Sequence, residues 1–286
     1  MSLRLILLHP LLAILLLSAC THPPTSTPVP FRNTQQPSPS PTFTPTLTAT
    51  VPSPTPTPIL PQTLVFYGDS SLKVGMVGQQ AKVGFSFVDY LPDKLDPHYT
   101  LIIANYGGRG AQWGYEHMEE NVLANEPDVV TLWWSLNDLQ GCPGIFDPQT
   151  NTLLQPKLDA RIALHIKYMR LQIDTLLAQN IPVYVVTAIP VLGKLPWSHF
   201  DENGQLVWEE NHWCDYNLGV TQLVAAQRAL VEEYDGNQPV YLVDAWKVYQ
   251  EHQNSEKMYM DIVHPGSNGA ALIAEEWLRV FQATHR

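Results

Sequence analysis

The chain has 286 residues, with 16 basic and 27 acidic side chains and a formal charge of −11 at pH 7. Only two arginines precede residue 63 and no acidic residue does, so the remainder carries a formal charge of −13. Such a field repels polyanions, which argues against nucleic acid as a partner. It also disfavours direct binding to anionic membrane surfaces.

The N-terminus begins with an export signal. Residues 5–17 read LILLHPLLAILLL after Arg4, a basic start and an apolar run too short for a typical membrane span. The run ends in LSAC at Cys20, which resembles the lipobox of bacterial lipoproteins. That resemblance implies a lipoprotein signal peptide over residues 1–20, lipidation of Cys20, and a protein anchored to the cell membrane on its extracytoplasmic side. The alternative is an ordinary signal peptide, with the cysteine incidental.

A linker follows the signal. Residues 21–62 hold 13 of the 25 prolines and 11 threonines, and Arg32 is their only charge. Such a stretch has too few apolar groups to build a core, so we expect a disordered, extended tether. The remaining residues, 63–286, have the usual size of one α/β domain.

Five short apolar runs within that domain predict strands. The runs are rich in β-branched and aromatic residues, and they are continuous rather than alternating, as expected for strands covered on both faces. The predicted strands are Thr63–Tyr67, Tyr99–Ala104, Val129–Trp134, Val183–Ala188 and Val240–Val243.

Helical patterns separate these strands. The clearest lies at 162–177, where apolar residues recur every three or four positions and form one stripe. Residues 215–235 and 267–282 also read as helices. The alternation predicts a mostly parallel sheet with right-handed crossovers, and ligands of such sheets bind beyond the carboxyl ends of the strands.

The segment 191–214 is interpreted as a long loop. Loops of this length are more often functional than not, and this one is rich in aromatic residues, so it is a candidate substrate wall or lid. The alternative is that the aromatics only pack the loop onto the domain. Those aromatic and histidine residues are Trp197, His199, Phe200, Trp208, His212 and Trp213.

Two cysteines remain in the domain, Cys142 and Cys214, and both lie in predicted loops. An exported domain meets an oxidising compartment, so a disulfide between them is plausible. The alternative is two free or buried thiols.

A candidate nucleophile follows the first strand. Gly68 permits an unusual backbone angle at a sharp turn, and Ser70 just after that turn can project its hydroxyl into a cleft. A polar turn or a helix cap would also use Asp-Ser here.

The candidate base precedes the last helix. A serine hydroxyl is a poor nucleophile until a nearby base takes its proton, and a histidine exchanges protons near neutral pH. In the segment Asp261-Ile-Val-His264, the aspartate can reach the ring locally and set its tautomer. The alternative for His264 is an ordinary surface histidine, and the other acid-x-x-His pattern, Glu209 with His212, lies in the long loop.

An oxyanion hole needs donors aimed at the developing negative oxygen. The glycine cluster that ends at Gly110 follows the second strand, and Asn137 follows the third. A glycine lets the backbone approach a substrate, and an asparagine offers an amide donor. A glycine-rich turn and a capping asparagine are the alternatives, and the neighbouring Arg109 and Asp138 are expected to support these loops rather than bind substrate.

Together these four blocks resemble those of the SGNH/GDSL hydrolases, esterases and lipases named for their catalytic Ser, Gly, Asn and His. The resemblance covers nearly all of 63–286. It implies an α/β fold, a flavodoxin-like three-layer α/β/α sandwich with a five-stranded parallel sheet. On the family pattern Ser70 is the nucleophile and an oxyanion donor, Gly110 and Asn137 complete the oxyanion hole, and Asp261 and His264 are the Asp-x-x-His dyad.

Two residues depart from that pattern. Ser71 stands where the family name has leucine, and Ser135 stands where the Gly-x-Asn-Asp block often has glycine. The second departure could tighten the turn that presents Asn137.

The resemblance implies an exported, lipid-anchored serine esterase that cleaves acyl or acetyl esters of lipids or glycans. The expected substrate is a small-molecule or glycan ester, and the reaction requires no metal and no organic cofactor. The protein is expected to contact the membrane only through its lipid anchor. Two alternatives stay open: a cell-envelope O-acyltransferase, and a catalytically inactive glycan-binding lipoprotein.

Overall fold

The computed structural model describes residues 60–73, 85–200, 206–234, 236–253 and 256–285. The predicted signal peptide over 1–20, the predicted lipidation site at Cys20 and nearly all of the linker over 21–62 lie outside the described residues.

A five-stranded parallel sheet with strand order β2-β1-β3-β4-β7 forms the centre of the domain, and a separate two-stranded sheet pairs β5 with β6. The five strands of the large sheet match the five predicted runs to within two residues at each end. The strands are β1 (Gln62–Gly68), β2 (Tyr99–Asn105), β3 (Val129–Trp133), β4 (Val183–Val186), β5 (Leu195–Phe200), β6 (Leu206–Cys214) and β7 (Val240–Val243).

Seven α-helices accompany the strands in the described residues, and the three longest correspond to the predicted ones. They are α1 (Ala111–Glu116), α2 (Met118–Asn121), α3 (Gly141–Ile145), α4 (Gln155–Leu177), α5 (Asn217–Glu232), α6 (Ala245–Glu251) and α7 (Ser267–Thr284).

Helix α4 begins seven residues before the predicted start at 162. In its first two turns only Leu158 is buried, and the other residues are exposed or half-buried. One buried apolar residue does not define a helix face, so the amphipathic pattern is recognisable in the sequence only from residue 162 onward. Across the described ranges, no helix is long and apolar enough to span a bilayer.

Side chains of the sheet alternate between two helical layers. In β1, Leu64 and Phe66 pack with α7 and α6, whereas Val65 and Tyr67 pack with α1 and α4. Each strand therefore buries both of its faces, as its continuous apolar sequence predicts. The result is the three-layer α/β/α sandwich that the resemblance implies.

The strand order fixes where a ligand can bind. The chain leaves β1 for β2 on one side and later crosses back to β3 on the other, so β1 and β3 are neighbours at a topological switch point. Loops after such strands diverge and leave a crevice at the carboxyl edge. Ser70, Gly110 and Asn137 all follow strands at this edge.

The prediction of a long loop over 191–214 is wrong. The segment contains an antiparallel pair, β5 and β6, with a register shift between Pro196 and Trp197. The tryptophans and valines in it favour extended structure. The sequence between the two strands contains Asn203-Gly204, a dipeptide that favours a hairpin connection.

Both cysteines lie in secondary structure rather than in the predicted loops. Cys142 belongs to α3, Cys214 ends β6, and the two are joined by a disulfide in the fully buried core beneath the hairpin. The bridge spans a sequence separation of 72 residues. Closing a loop of that size stabilises the fold by about 4 kcal/mol in the chain-entropy description.

Candidate active site

The turn after β1 presents Ser70 at the sheet edge. A Cβ on Gly68 would lie 2.3 Å from the carbonyl oxygen of Trp133, so only glycine allows β1 and β3 to pair this closely here. The Asp69 N–H then donates to that same oxygen at 3.1 Å. The strand is held to its last residue, and Ser70 is the first partly exposed side chain beyond it.

Asp69 locks this turn from below. Its carboxylate is buried and accepts hydrogen bonds from the Ser71 N–H at 2.8 Å and from both the N–H and the hydroxyl of Ser135 at 2.9 Å. Burial raises the pKa of the Asp69 carboxyl, and these hydrogen bonds oppose that rise. The carboxylate therefore joins the end of β1 to the residue that follows Trp134.

The two departures from the family pattern meet in one contact. The hydroxyl oxygens of Ser71 and Ser135 lie 2.9 Å apart and both residues are buried. A leucine at 71 could not make this hydrogen bond, and a glycine at 135 would keep the backbone N–H that donates to Asp69 but would lose the hydroxyl that also donates to it. The serines therefore act as a pair, and Ser135 connects the turn at Ser70 to the one that carries Asn137.

The Asp-x-x-His segment forms a compact turn before α7. One oxygen of Asp261 accepts the N–H groups of Val263 and His264 at 2.8 and 2.9 Å, and the other lies 2.8 Å from His264 Nδ1. Partial burial acts to raise the pKa of Asp261, but the hydrogen bond with the His264 ring and those from the backbone outweigh it and lower the value to about 2. The carboxylate is therefore charged at any physiological pH.

His264 completes a continuous chain of contacts to the serine. Its Nε2 lies 3.0 Å from Ser70 Oγ, although the two residues are 194 positions apart. The ring is 20% exposed, so it can exchange protons with a bound molecule or water. The Leu192 N–H donates to the carbonyl of Ile262 at 2.8 Å and fastens this turn to the segment after β4.

Three hydrogen-bond donors lie on the loops around Ser70. Within the described residues neither the Ser70 N–H nor the Gly110 N–H donates a hydrogen bond. The Asn137 amide donates one hydrogen to the carbonyl of Arg109 at 3.0 Å and keeps a second. The loop after β2 passes close to the nucleophile, since a Cβ on Gly107 would lie 3.6 Å from Ser70 Cβ.

Asp138 explains why the residue at 110 is a glycine. Its carboxylate oxygens lie 3.2 and 3.0 Å from the Ala111 nitrogen, the first helical residue after Gly110. A Cβ at position 110 would lie 2.1 Å from one of these oxygens. Asp138 therefore supports the loop, as the sequence suggested, and Arg109 lies over the Trp113 ring at 5.5 Å.

Two buried residues behind this loop were missed by the sequence reasoning. His165 in α4 lies 2.7 Å from Asp138 through its Nδ1, and Gln227 in α5 lies 3.1 Å from its Nε2. Neither residue belongs to a recognisable motif. A polar residue within an otherwise apolar helix face is the only signal that could have drawn attention to them.

Some aromatic residues of the β5–β6 hairpin are buried and others are exposed to solvent. Trp197 is buried and stacks on His212 with ring centroids 4.5 Å apart, which is packing. Trp208 and Trp213 are 51% and 40% exposed, an unusual state for tryptophan. In the described part of the chain, no group of three or more His, Cys, Asp or Glu residues is placed to hold a metal ion.

Comparison with known proteins agrees with this fold. A GDSL-like lipase from Parabacteroides merdae is 15% identical, with a TM-score of 0.54 over 79% of this chain and 96% of that one. The acetylxylan esterase Axe2 from Geobacillus stearothermophilus, as a catalytic mutant, is 16% identical, with a TM-score of 0.54 over 77% and 94%. A lipase/acylhydrolase from Enterococcus faecalis is 14% identical, with a TM-score of 0.51 over 78% and 96%.

Among proteins of curated function, none matches the chain. The family described as GDSL-like Lipase/Acylhydrolase matches residues 64–277, three quarters of the chain. That span includes the serine turn, the two donor loops and the Asp-x-x-His turn. The chain therefore belongs to the GDSL-like lipase/acylhydrolase family, also known as the SGNH hydrolases, and is a serine hydrolase that acts on ester bonds.

Proposed function

We propose that Ser70, His264 and Asp261 form the catalytic triad of this esterase. The observation that carries the proposal is the unbroken chain from Ser70 Oγ to His264 Nε2 at 3.0 Å and from His264 Nδ1 to Asp261 at 2.8 Å. His264 takes the serine proton as Oγ attacks the ester carbonyl carbon. The charged Asp261 stabilises the imidazolium that forms and keeps the ring in the required orientation.

The tetrahedral intermediate places a negative charge on the former carbonyl oxygen. Ser70 N–H, Gly110 N–H and the free amide hydrogen of Asn137 stabilise that charge, which is the usual source of the largest catalytic effect in acyl transfer. The intermediate collapses when the ester C–O bond breaks and His264 protonates the leaving alcohol. A water molecule, deprotonated by the same histidine, then releases the acid and restores Ser70.

We further propose that the natural substrate is an O-acyl or O-acetyl ester on a glycan. Trp208 and Trp213 on the hairpin support this choice, because exposed indole rings stack on sugar rings. The segment leading into the hairpin is bonded to the catalytic turn through Leu192 and Ile262. Acetylxylan esterases of the same fold point in the same direction, although the likeness to them concerns the fold alone.

Labelling with a fluorophosphonate tests the triad. Residues 61–286 of the wild type should gain one adduct by intact mass, and Ser70→Ala and His264→Ala should gain none. His212→Ala is the matched control, because Glu209 and His212 form a second acid-x-x-His pair with Nδ1 3.0 Å from the carboxylate. An adduct that persists in Ser70→Ala, or that disappears in His212→Ala, would contradict the assignment.

A substrate panel tests the glycan proposal. We expect release of acetate from acetylated xylan and its oligosaccharides, and only slow cleavage of p-nitrophenyl esters with long acyl chains. Trp208→Ala should raise KM for the oligosaccharides and leave KM for p-nitrophenyl acetate unchanged. A preference for long acyl chains would favour a lipid substrate, and acyl transfer to an added polysaccharide in preference to water would identify an O-acyltransferase.

We also propose that the enzyme is exported and anchored through a lipid on Cys20. The apolar run and the residues that precede this cysteine support the proposal. In a bacterial host, wild-type protein should sediment with membranes and partition into detergent. Cys20→Ser should be exported in a soluble form, and a variant that stays with the membrane would argue against the anchor.

A further inference from the structure

A second aspartate–histidine pair lies behind the proposed oxyanion loops. His165 Nδ1 and the Asp138 carboxylate are 2.7 Å apart, the histidine ring is fully buried, and the aspartate side chain is 13% exposed. Polar side chains at this depth are uncommon unless their hydrogen bonds are complete. The proposed reaction uses neither residue directly.

Gln227 determines which nitrogen of His165 carries the proton. The Ala188 N–H donates to Gln227 Oε1 at 2.9 Å, which identifies the amide oxygen. The amide nitrogen then faces the carbonyl oxygen of Trp134 and His165 Nε2, each at 3.1 Å. A flipped amide would place its NH₂ group against the Ala188 N–H and its oxygen against the Trp134 carbonyl, so the network admits one assignment.

The ring is therefore neutral and holds a single proton. His165 Nε2 accepts from Gln227, and His165 Nδ1–H donates to Asp138. An imidazolium would set an N–H against the amide NH₂ at Nε2, donor against donor. The proton therefore stays on His165 Nδ1, and the ring serves as an oriented hydrogen-bond donor to Asp138.

The carboxylate that receives this donor holds both oxyanion loops. Asp138 accepts the Ala111 N–H at 3.0 Å through Oδ2, the oxygen that also faces His165. Ala111 directly follows Gly110, and Asn137 directly precedes Asp138. Through Ala111 this carboxylate links the loop at Gly110 to the loop that carries Asn137.

We propose that His165 is a positioning residue for the oxyanion hole. It fixes the rotation of the Asp138 carboxylate, which in turn fixes the loop at Gly110. The proposal rests on the proposed role of Gly110 and Asn137. Donors that shift by about 1 Å lower catalysis on the order of 10²-fold while they affect ground-state binding far less.

Replacement of His165 tests the proposal with steady-state kinetics on p-nitrophenyl acetate. His165→Leu removes the donor, and we expect kcat to fall about 10²-fold with KM changed less than about threefold. His165→Asn places an amide nitrogen near the position of Nδ1 and should restore most of kcat. Ile173→Ala on the same helix is the matched control, since it makes a cavity in the core without contact to Asp138 and should lower Tm but not kcat.

A double-mutant cycle separates positioning from a general loss of structure. If His165 acts through the oxyanion hole, His165→Leu should cost much less kcat in an Asn137→Ala background than in the wild type. Equal losses in both backgrounds, or a folded His165→Leu enzyme with unchanged kcat, would overturn the proposal. If His165→Leu does not fold, Asp138→Asn takes its place in the same cycle, because its amide NH₂ group must face either the Ala111 N–H or the His165 Nδ1–H, donor against donor.

The outcome can be told apart from a failure of the proposed function. Fluorophosphonate labelling of wild-type Ser70, and its absence in Ser70→Ala, establish the nucleophile independently of His165. Loss of labelling in the wild type would refute the function, whereas normal wild-type labelling with an insensitive His165→Leu variant would refute only the positioning role.

Discussion

The domain contains two aspartate–histidine pairs with nearly equal contact distances and opposite surroundings. Asp261 and His264 are three residues apart and partly exposed, and Asp138 and His165 are 27 residues apart and almost completely buried. The contact distance, 2.8 Å in one and 2.7 Å in the other, does not distinguish them.

What differs is the partner of the second ring nitrogen. His264 Nε2 faces the hydroxyl of Ser70, which can give up its proton. His165 Nε2 faces the amide of Gln227, which cannot. A pair becomes a proton-transfer device only where its far nitrogen meets a group that reacts, and elsewhere the same pair is a structural hydrogen bond.

Replacement of His264, the histidine of the partly exposed pair, tests the difference between the two pairs most strongly. His264→Gln should lower kcat by about 10⁴-fold or more, because among the described residues only the His264 ring lies within hydrogen-bond distance of Ser70 Oγ. Since the ring is partly exposed and is not part of the hydrophobic core, Tm should change by less than about 3 °C. Ester hydrolysis and thermal unfolding measured on the same sample check both halves, and a large drop in Tm with residual activity would place His264 among the structural residues.

The aspartate of the exposed pair should have the next largest effect. Asp261→Asn should lower kcat by about 10³-fold to 10⁴-fold, since an amide favours the wrong tautomer of His264. Measurements of kcat at several pH values test this, and a loss smaller than tenfold would assign orientation of the ring to the backbone instead.

Because the pKa of Asp261 is lowered, the difference in stability between the wild type and Asp261→Asn should depend on pH. The folded-state pKa of about 2 lies below that of an unfolded aspartate, so Asp261 stabilises the native state above pH 4 and loses that contribution as the pH falls towards 2. Wild type and Asp261→Asn should therefore converge in stability near pH 2. Acid unfolding curves that stay equally separated would contradict the lowered pKa.

Gly110→Ala sharpens the comparison from the buried side. The new Cβ would lie 2.1 Å from an Asp138 oxygen, so the carboxylate or the loop must move. We expect kcat to fall about 10²-fold with a smaller change in KM. Crystal structures or hydrogen-exchange rates of the Ala111 amide would reveal the displacement, and full activity would mean that the Gly110 N–H is not an oxyanion donor.

The smallest expected effect concerns the serine pair that supports Ser70. Ser71→Ala and Ser135→Ala, alone and together, should show a coupling of about 1 kcal/mol in urea unfolding, the usual strength of a buried hydrogen bond. Additive effects would mean that the two departures from the family pattern are independent.

The order of the motifs along the sequence was enough to predict the residues of the exposed pair, Asp261 and His264. Ser70, Asp261 and His264 were predicted because a short spacing encodes the Asp–His contact locally, because the serine block follows a strand and because the Asp-x-x-His block precedes the last helix. The five strands were readable for a related reason, since burial on both faces demands continuous apolar runs that need no knowledge of the rest of the fold.

Tertiary structure alone decided the buried pair and the hairpin. Asp138, His165 and Gln227 come from three separate segments, and no local pattern records that their side chains meet. The same holds for Ser71 and Ser135, which read as two unrelated departures in sequence and become one hydrogen bond in space. A motif specifies groups that the chain brings together over a few residues, whereas the contacts that orient those groups depend on how distant helices pack.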